Sequence, residues 1–321
     1  MILQALAAYY DRLSQEGSTD IAPDGFEKKP IPFLIILNES GKFVDIQDTR
    51  VDEGKRKIGR AFLVPRAVKK TSGIATNLLW DTPNYVLGRP KPDAKKDTQD
   101  LLSKANEQHQ CFVARIREEF PEPQVDEGIR AVLTFLENGD FGQVFAHPLW
   151  AEVEETGVNL SFKLDKELGL ICERPTVIAA IRGSPSPNAD GEKQTCLITG
   201  SNDFPARLHT AIKGVRNAQT SGANIVSFNL DAFSSYGKEQ GLNAPVGKKA
   251  EFAYTTALNH MLARDSRQKI QVGDATTVFW AEKKNKMESL FPDFFGNEPA
   301  KGEPEQDYKH LISFFRSAEI G

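Results

Sequence analysis

Residues 33–46 read FLIILNESGKFVDI. Phe33–Leu37 is a strand-like apolar run, Asn38-Glu39-Ser40-Gly41 supplies turn formers, and 43–46 is a second strand-like run. Turn residues between two such runs predict a β-hairpin. Upstream, Pro30 and Pro32 break the chain, and residues 2–13 place Leu3, Leu6, Tyr10 and Leu13 at spacings of three and four, the pattern of an amphipathic helix. Downstream, 61–64 reads as a further strand, while 97–119 and 125–138 read as helices, the second stopping at Asn138-Gly139. Alternation of Val158, Leu160, Phe162 and Leu164 predicts a half-buried strand over 158–164. The stretch SPSPNADGEK at 184–193 is the most loop-like in the chain. Residues 195–199, 224–229 and 276–280 are strand candidates, and 248–264 is a helix with Tyr254, Ala257, Leu258, Met261 and Leu262 on one face. Met261 is expected there as core filling.

Strands and helices interleave without regular βαβ spacing and without an internal repeat, so the expected class is α+β: mixed, largely antiparallel sheets with packed helices. The length of 321 residues suits two closely associated subdomains or one large domain. We place the division near 150, giving an amino-terminal subdomain 1–150 and a second α+β subdomain 151–321. With 40% apolar residues and 20 Phe, the chain can build a sizeable core, which excludes wholesale disorder. Cys111, Cys172 and Cys196 form neither a disulfide framework nor a CxxC zinc pattern, and are expected as small buried residues in a reducing cytosol. The opening MILQAL has no basic n-region, and no apolar run reaches the 18 residues of a membrane span, so a cytoplasmic protein is expected, with no membrane partner.

The formal net charge of −4 argues against nucleic acid only if the charge is spread evenly, and it is not. Window 54–72 carries Lys55, Arg56, Lys57, Arg60, Arg66, Lys69 and Lys70 with no acid, a net of +7. Window 204–230 carries Arg207, Lys213 and Arg216, again with no acid, for +3, leaving −14 for the rest of the chain. Such windows are either solvated faces or local basic tracks for phosphates on an otherwise acidic protein.

Catalytic motifs are weak in this sequence. Residues 241–249, GLNAPVGKK, miss the phosphate-loop pattern: five residues instead of four separate the glycines, one is Pro245, and Lys249 replaces the magnesium-binding hydroxyl. Residues 292–301 faintly resemble a nuclease carboxylate–lysine set, but Pro299 interrupts the strand that such a site needs. The histidines His109, His147, His209, His260 and His310 never pair at metal-ligand spacing. His209, in the second basic window, either touches phosphate or makes a structural hydrogen bond. Segment 217–243 stands out, because 11 of its 27 residues are amides or hydroxyls, directly after Lys213 and Arg216. Amides suit base edges and cations suit phosphates, and Gly214, Gly222, Gly237 and Gly241 permit close approach; the competing reading is a polar loop region whose side chains cap local turns.

Longer blocks then carry a resemblance. MILQALAAYYDRL, IAPDGFEKKPIPFLIIL, SGIATNLLWDTPNYVLG at 72–88, TCLITG at 195–200, ARLHTAIKGVRNAQTSGANIVSFNLDAFSSYGKEQGLNAPV, EFAYTTALNHML and TTVFWAE at 276–282 together make the chain similar to the amino-terminal half of the large subunit of the type I-C CRISPR interference (Cascade) complex. It departs at Gly247-Lys248, where Ser and an acidic residue are expected. The resemblance implies a non-catalytic DNA- and RNA-binding subunit of an antiviral defence complex. It would recognise the short protospacer-adjacent motif (PAM) in duplex DNA, help open the target, and support recruitment of a helicase-nuclease that cleaves. Implied partners are crRNA, target double-stranded DNA, the backbone, crRNA-processing and small subunits, the helicase-nuclease and phage anti-CRISPR proteins. No cofactor or metal is implied. Members of the family are longer, with a helical carboxy-terminal domain absent here, so a fragment is expected.

In that setting the expected phosphate contacts are Lys69, Lys70, Arg207, Lys213 and Arg216. The expected base or groove contacts are Ser72, Gly73, Asn77, Asn217, Gln219, Thr220 and Ser221, and Phe204 or Tyr236 is the candidate wedge that unstacks the first target pair. A metal-dependent nuclease and a purely structural adaptor are the competing function classes.

Overall fold

The computed structural model describes residues 1–16, 18, 21–54, 56–68, 73–183, 192–219, 221–263, 266–285, 288 and 291. From the amino end come helix α1 (Ile2–Gln15), strands β1 (Phe26–Pro30), β2 (Phe33–Leu37), β3 (Phe43–Asp48), β4 (Arg50–Glu53), β5 (Arg56–Gly59), β6 (Ala61–Pro65) and β7 (Trp80–Asp81). Helices α2 (Pro83–Val86), α3 (Thr98–Glu119), α4 (Glu127–Asn138), α5 (Gly142–Phe145) and α6 (Trp150–Thr156) follow, then β8 (Leu160–Leu164) and α7 (Pro175–Gly183). The chain ends its described course with β9 (Gln194–Thr195), β10 (Asn202–Asp203), α8 (Lys248–Met261), β11 (Lys269–Val272) and β12 (Ala275–Val278). Helices with small, mostly antiparallel sheets make this an α+β protein.

Contacts divide the chain into two units, Ala22–Asp190 and a discontinuous one formed by Met1–Ile21 with Gly191–Gly321. That differs from the split expected near residue 150, and pairing explains why. In the first unit β8 lies parallel to β2, Phe33 opposite Leu160 and Leu37 opposite Leu164, so residues beyond 150 complete the sheet begun at 33. In the other unit α1 packs on α8, so the first 21 residues belong with the last part of the chain.

The expected hairpin is present as β2 and β3, with Ile35 opposite Ile46. The full sheet runs β3-β2-β8-β7. Every residue of β2 is buried, as an internal strand covered on both faces requires. On the core side Phe162 of β8 meets Phe112 of α3 and Phe135 of α4 at ring separations of 6.4 and 6.3 Å. Large apolar side chains buried in this way each stabilise the fold by about 1.5–3 kcal/mol. Helix boundaries follow their caps. The Asp97 carboxylate accepts the Gln99 and Asp100 amides at the start of α3. Asp126 accepts the Gly128 and Ile129 amides at the start of α4, and Gly139 ends that helix in the left-handed conformation at φ 63°.

In the discontinuous unit, Leu6, Tyr9 and Tyr10 of α1 share a core with Phe252, Tyr254, Ala257 and Met261 of α8. Met261 is fully buried there, as its place on the apolar face requires. Three local expectations change. Residues 224–229 form no strand: Ile225 is 50% exposed, and among the described residues no strand pairs with this stretch. Only β9 survives from 195–199, because the Cys196 amide bonds to the Ser201 carbonyl and the Gly200 amide to the Cys196 carbonyl, turning the chain back. Cys111 is exposed on α3, whereas Cys172 and Cys196 are buried.

Candidate nucleic-acid interface

The second basic window builds one well-defined feature. Ile212 and Ala223 exchange both backbone hydrogen bonds, at 2.7 and 2.9 Å, and so close the neck of the ten-residue loop KGVRNAQTSG, 213–222. A compact loop closed at its ends and carrying polar side chains is a common vehicle for binding. Sequence order alone puts Lys213, Arg216, Asn217, Gln219, Thr220 and Ser221 on it, and Thr220 lies outside the described residues. Gly214 has a φ of 78°, and a Cβ there would stand 2.5 Å from the Leu262 carbonyl oxygen, so the loop sits directly on the end of α8.

Lys213, Arg216, Asn217, Gln219 and Ser221 are all exposed. The Lys213 ammonium makes no ion pair among the described residues. Arg216 donates from its guanidinium to the Gly273 carbonyl at 3.3 Å, and its amide bonds to the Thr276 hydroxyl at 3.3 Å, which leans this side of the loop on the β11–β12 hairpin. Arg207, also exposed, donates to Gln240 at 2.7 Å. These three cations therefore have no carboxylate partner among the described residues. The structural arginines behave otherwise: Arg50 is held by Asp48 and Glu152, Arg117 by Glu137, and Arg174 by Asp126, Glu127 and Glu167. An exposed cation without a counter-charge retains its full attraction for phosphate.

Asn217 has a left-handed φ of 63°, a conformation that asparagine tolerates better than most residues, and its carboxamide makes no hydrogen bond among the described residues. The Gln219 carbonyl accepts the Gly222 amide at 2.9 Å, tightening the loop while its side chain faces solvent.

The remaining predicted residues belong to the other unit. Lys69, Lys70 and Ser72 lie outside the described residues. Gly73 is exposed with a φ of 75°, beside an open groove lined by Ile74, Asp100, Ser103, Lys104 and Glu107. Two carboxylates against one ammonium make that groove unfavourable for phosphate. Asn77 is a correction: it is 5% exposed, and its Oδ1 accepts the Val68 amide at 3.0 Å. It is one of a buried set of ties. Asp81 accepts the Asn77 amide at 3.0 Å, the Trp80 indole donates to the Pro65 carbonyl at 2.8 Å, and Arg115 donates to the Thr76 carbonyl. Asn77 thus holds the chain beside the basic segment instead of reaching a base. The first window is also less bare than its composition implies, because strand register sets Asp52 opposite Lys57.

His209 is 5% exposed, and its Nδ1 is 2.6 Å from the Tyr254 hydroxyl, so of its two expected roles the structural bond is the one formed. Burial, then the Glu251 charge, pushes the Tyr254 hydroxyl above the usual tyrosine range. The Gly247-Lys248 stretch starts α8, but the place a phosphate would take is filled internally. The Lys248 amide bonds to the Phe204 carbonyl, and the Lys249 amide bonds to the Asp203 carboxylate at 3.2 Å. Phe204 is half-buried between the Lys193 and Lys248 ammonium groups, 5.4 and 6.0 Å from its ring. Tyr236 is 96% exposed at the tip of a two-residue turn in which both Tyr236 and Gly237 are left-handed. Asn243 braces this turn, accepting the Ser235 amide and donating to the Lys238 and Gln240 carbonyls, each at 3.0 Å. Of the two wedge candidates, Tyr236 is the one the fold presents to solvent.

Among the described residues, no group of three or more His, Cys, Asp or Glu side chains is arranged to hold a metal ion, and no helix is long and apolar enough to cross a membrane. The carboxylate–lysine stretch at 292–301 lies outside the described residues. A family model described as CRISPR-associated protein (Cas_Csd1) matches residues 6–321, and the chain belongs to that family. No curated protein matches the chain.

Proposed function

We propose that this chain is the non-catalytic large subunit of a crRNA-guided type I-C surveillance complex. In this reading it recognises the protospacer-adjacent motif in duplex DNA, promotes opening of the target, and supports recruitment of the helicase-nuclease. The reading rests chiefly on the loop 213–222, which presents two cations without carboxylate partners among the described residues, beside exposed amides, in a chain of a CRISPR-associated family. Phosphates held by Lys213 and Arg216, with Arg207 nearby in sequence, would fix position, while Asn217, Gln219, Thr220 and Ser221 meet base edges. Lys69, Lys70 and Ser72 are proposed as further DNA contacts, whereas Gly73 borders the acidic groove. Tyr236 is proposed to enter the stack at the first target pair; unstacking one step costs a few kcal/mol, which contacts to the bent duplex offset.

The decisive comparison uses the assembled complex and duplexes differing only in the motif. Gln219→Ala and Asn217→Ala should compress the affinity ratio between good and poor motifs, whereas Lys213→Ala should weaken all duplexes alike. If both amide variants keep the parental ratio, the loop does not read bases. Sustained cleavage of nucleic acid by the purified chain with Mg²⁺ or Mn²⁺ would overturn the non-catalytic assignment.

A further inference from the structure

The loop is held from beneath by side chains of α8, and one of them grips both sides of its entry. Asn259 Oδ1 accepts the Lys213 amide at 2.8 Å, and Asn259 Nδ2 donates to the Ala211 carbonyl at 3.1 Å. The carboxamide therefore acts as a peptide group would in a strand neighbour, bracketing Ile212, which closes the neck with Ala223. Along the same helix, Glu251 Oε1 accepts the Thr210 amide at 2.6 Å, and the Tyr254 hydroxyl meets His209. Past Asn259, the Leu262 carbonyl lies against Gly214. Residues 209–214 are thus fastened in succession to α8, whose opposite face is buried with α1.

We infer that Asn259 is a positioning residue for motif discrimination: it fixes the height and angle at which the loop leaves α8, without touching DNA itself. This rests on the loop being the base-reading element. The requirement is specific, since both a donor and an acceptor are needed at one short side chain. Aspartate supplies no donor, and alanine supplies neither. A base contact tolerates little displacement, because its hydrogen bonds weaken steeply with angle and distance. Phosphate attraction, by contrast, depends on charge and falls slowly with a small shift. Losing the brace should therefore damage discrimination more than overall affinity.

The test uses the assembled complex carrying Asn259→Ala. In the free protein, exchange of the Lys213 amide should accelerate while amides within α8 keep their protection. In DNA binding, the preference for good over poor motifs should fall about five-fold or more, the scale of a single impaired base contact. The slope of log affinity against log salt should stay parental, since every cation remains. Should Asn259→Ala fail to fold, Asn259→Asp, which keeps the acceptor and removes the donor to Ala211, is read for amide exchange and motif preference, its added charge being kept out of the salt-slope comparison. Parental discrimination in a folded variant overturns the inference. Asn217→Ala and Gln219→Ala in parallel separate the two ideas. If either lowers discrimination while the Asn259 variant does not, only the positioning role is wrong; if none of the three does, the base-reading loop itself is wrong.

Discussion

Removing together the three cations that have no carboxylate partner among the described residues, as Arg207→Ala/Lys213→Ala/Arg216→Ala, gives the sharpest quantitative expectation. Each phosphate neutralised on B-form DNA contributes about 0.9 to the slope of log affinity against log salt. Raising salt from about 50 to about 200 mM should then weaken binding about 3.5-fold per contact, or about 40-fold for three. The side chains lost are exposed, and their hydrogen bonds to Gln240 and Gly273 carry no buried charge, so folding stability should change by no more than about 0.5 kcal/mol for each site. Anisotropy titrations of the assembled complex against a motif-bearing duplex, repeated across that salt range, measure the slope, and melting of the chain provides the control. The variant should show a slope shallower by about 2.7 with an almost unchanged melting temperature. A slope within half a unit of the parent would mean that these cations do not meet phosphates, and the placement of DNA on this loop would fail.

Other expectations concern the supports of the fold and the opening of the duplex. Asn77→Ala should destabilise the Ala22–Asp190 unit by about 1–3 kcal/mol, because it strands the Val68 amide; a denaturant midpoint equal to the parent, with altered motif preference, would restore Asn77 as a base contact. Burial raises the Asp126 carboxyl, but hydrogen bonds from Arg174 and the Ile129 amide outweigh it, and the net shift is downward. Its stabilisation is therefore complete above the ordinary aspartate range near pH 4 and lost as pH falls through the lowered folded value. Asp126→Asn should cost about 2 kcal/mol at pH 7, and the gap from the parent should narrow below about pH 4; an unchanged gap in urea melts at the two pH values would contradict this. Tyr236→Gly keeps a residue suited to the left-handed φ of 51°, so the turn should survive. Strand opening reported by 2-aminopurine beside the motif should slow, with duplex binding preserved; parental opening kinetics would remove the wedge.

Much of the fold was legible because its signals are local. The apolar runs around Asn38–Gly41 dictated the hairpin, Asp97 marked the start of α3, and Gly139 marked the end of α4. The unit boundary was not legible, because it depends on β8 returning beside β2 and on α8 meeting α1, pairings between residues more than a hundred positions apart. At the candidate interface, composition found the loop but not its construction. Nothing in the spacing of Ile212 and Ala223 announces a closed neck, and Asn259 lies inside an otherwise ordinary helix. Asn77 misled for the opposite reason: an amide near a basic run reads as a DNA contact until burial shows that its partner is the Val68 amide. Counting charge along the chain likewise missed Asp52, which strand register brings opposite Lys57.

The central claim is that loop 213–222 lies against the motif. A photoreactive amino acid at position 219, compared with the same group at Leu197, which is 56% exposed in the same unit, tests it in the assembled complex. The account predicts cross-links from position 219 to the base pairs of the motif, lost when the motif is changed, and none from position 197. Equal cross-linking from both positions, or cross-links from 219 that ignore the motif, would contradict it.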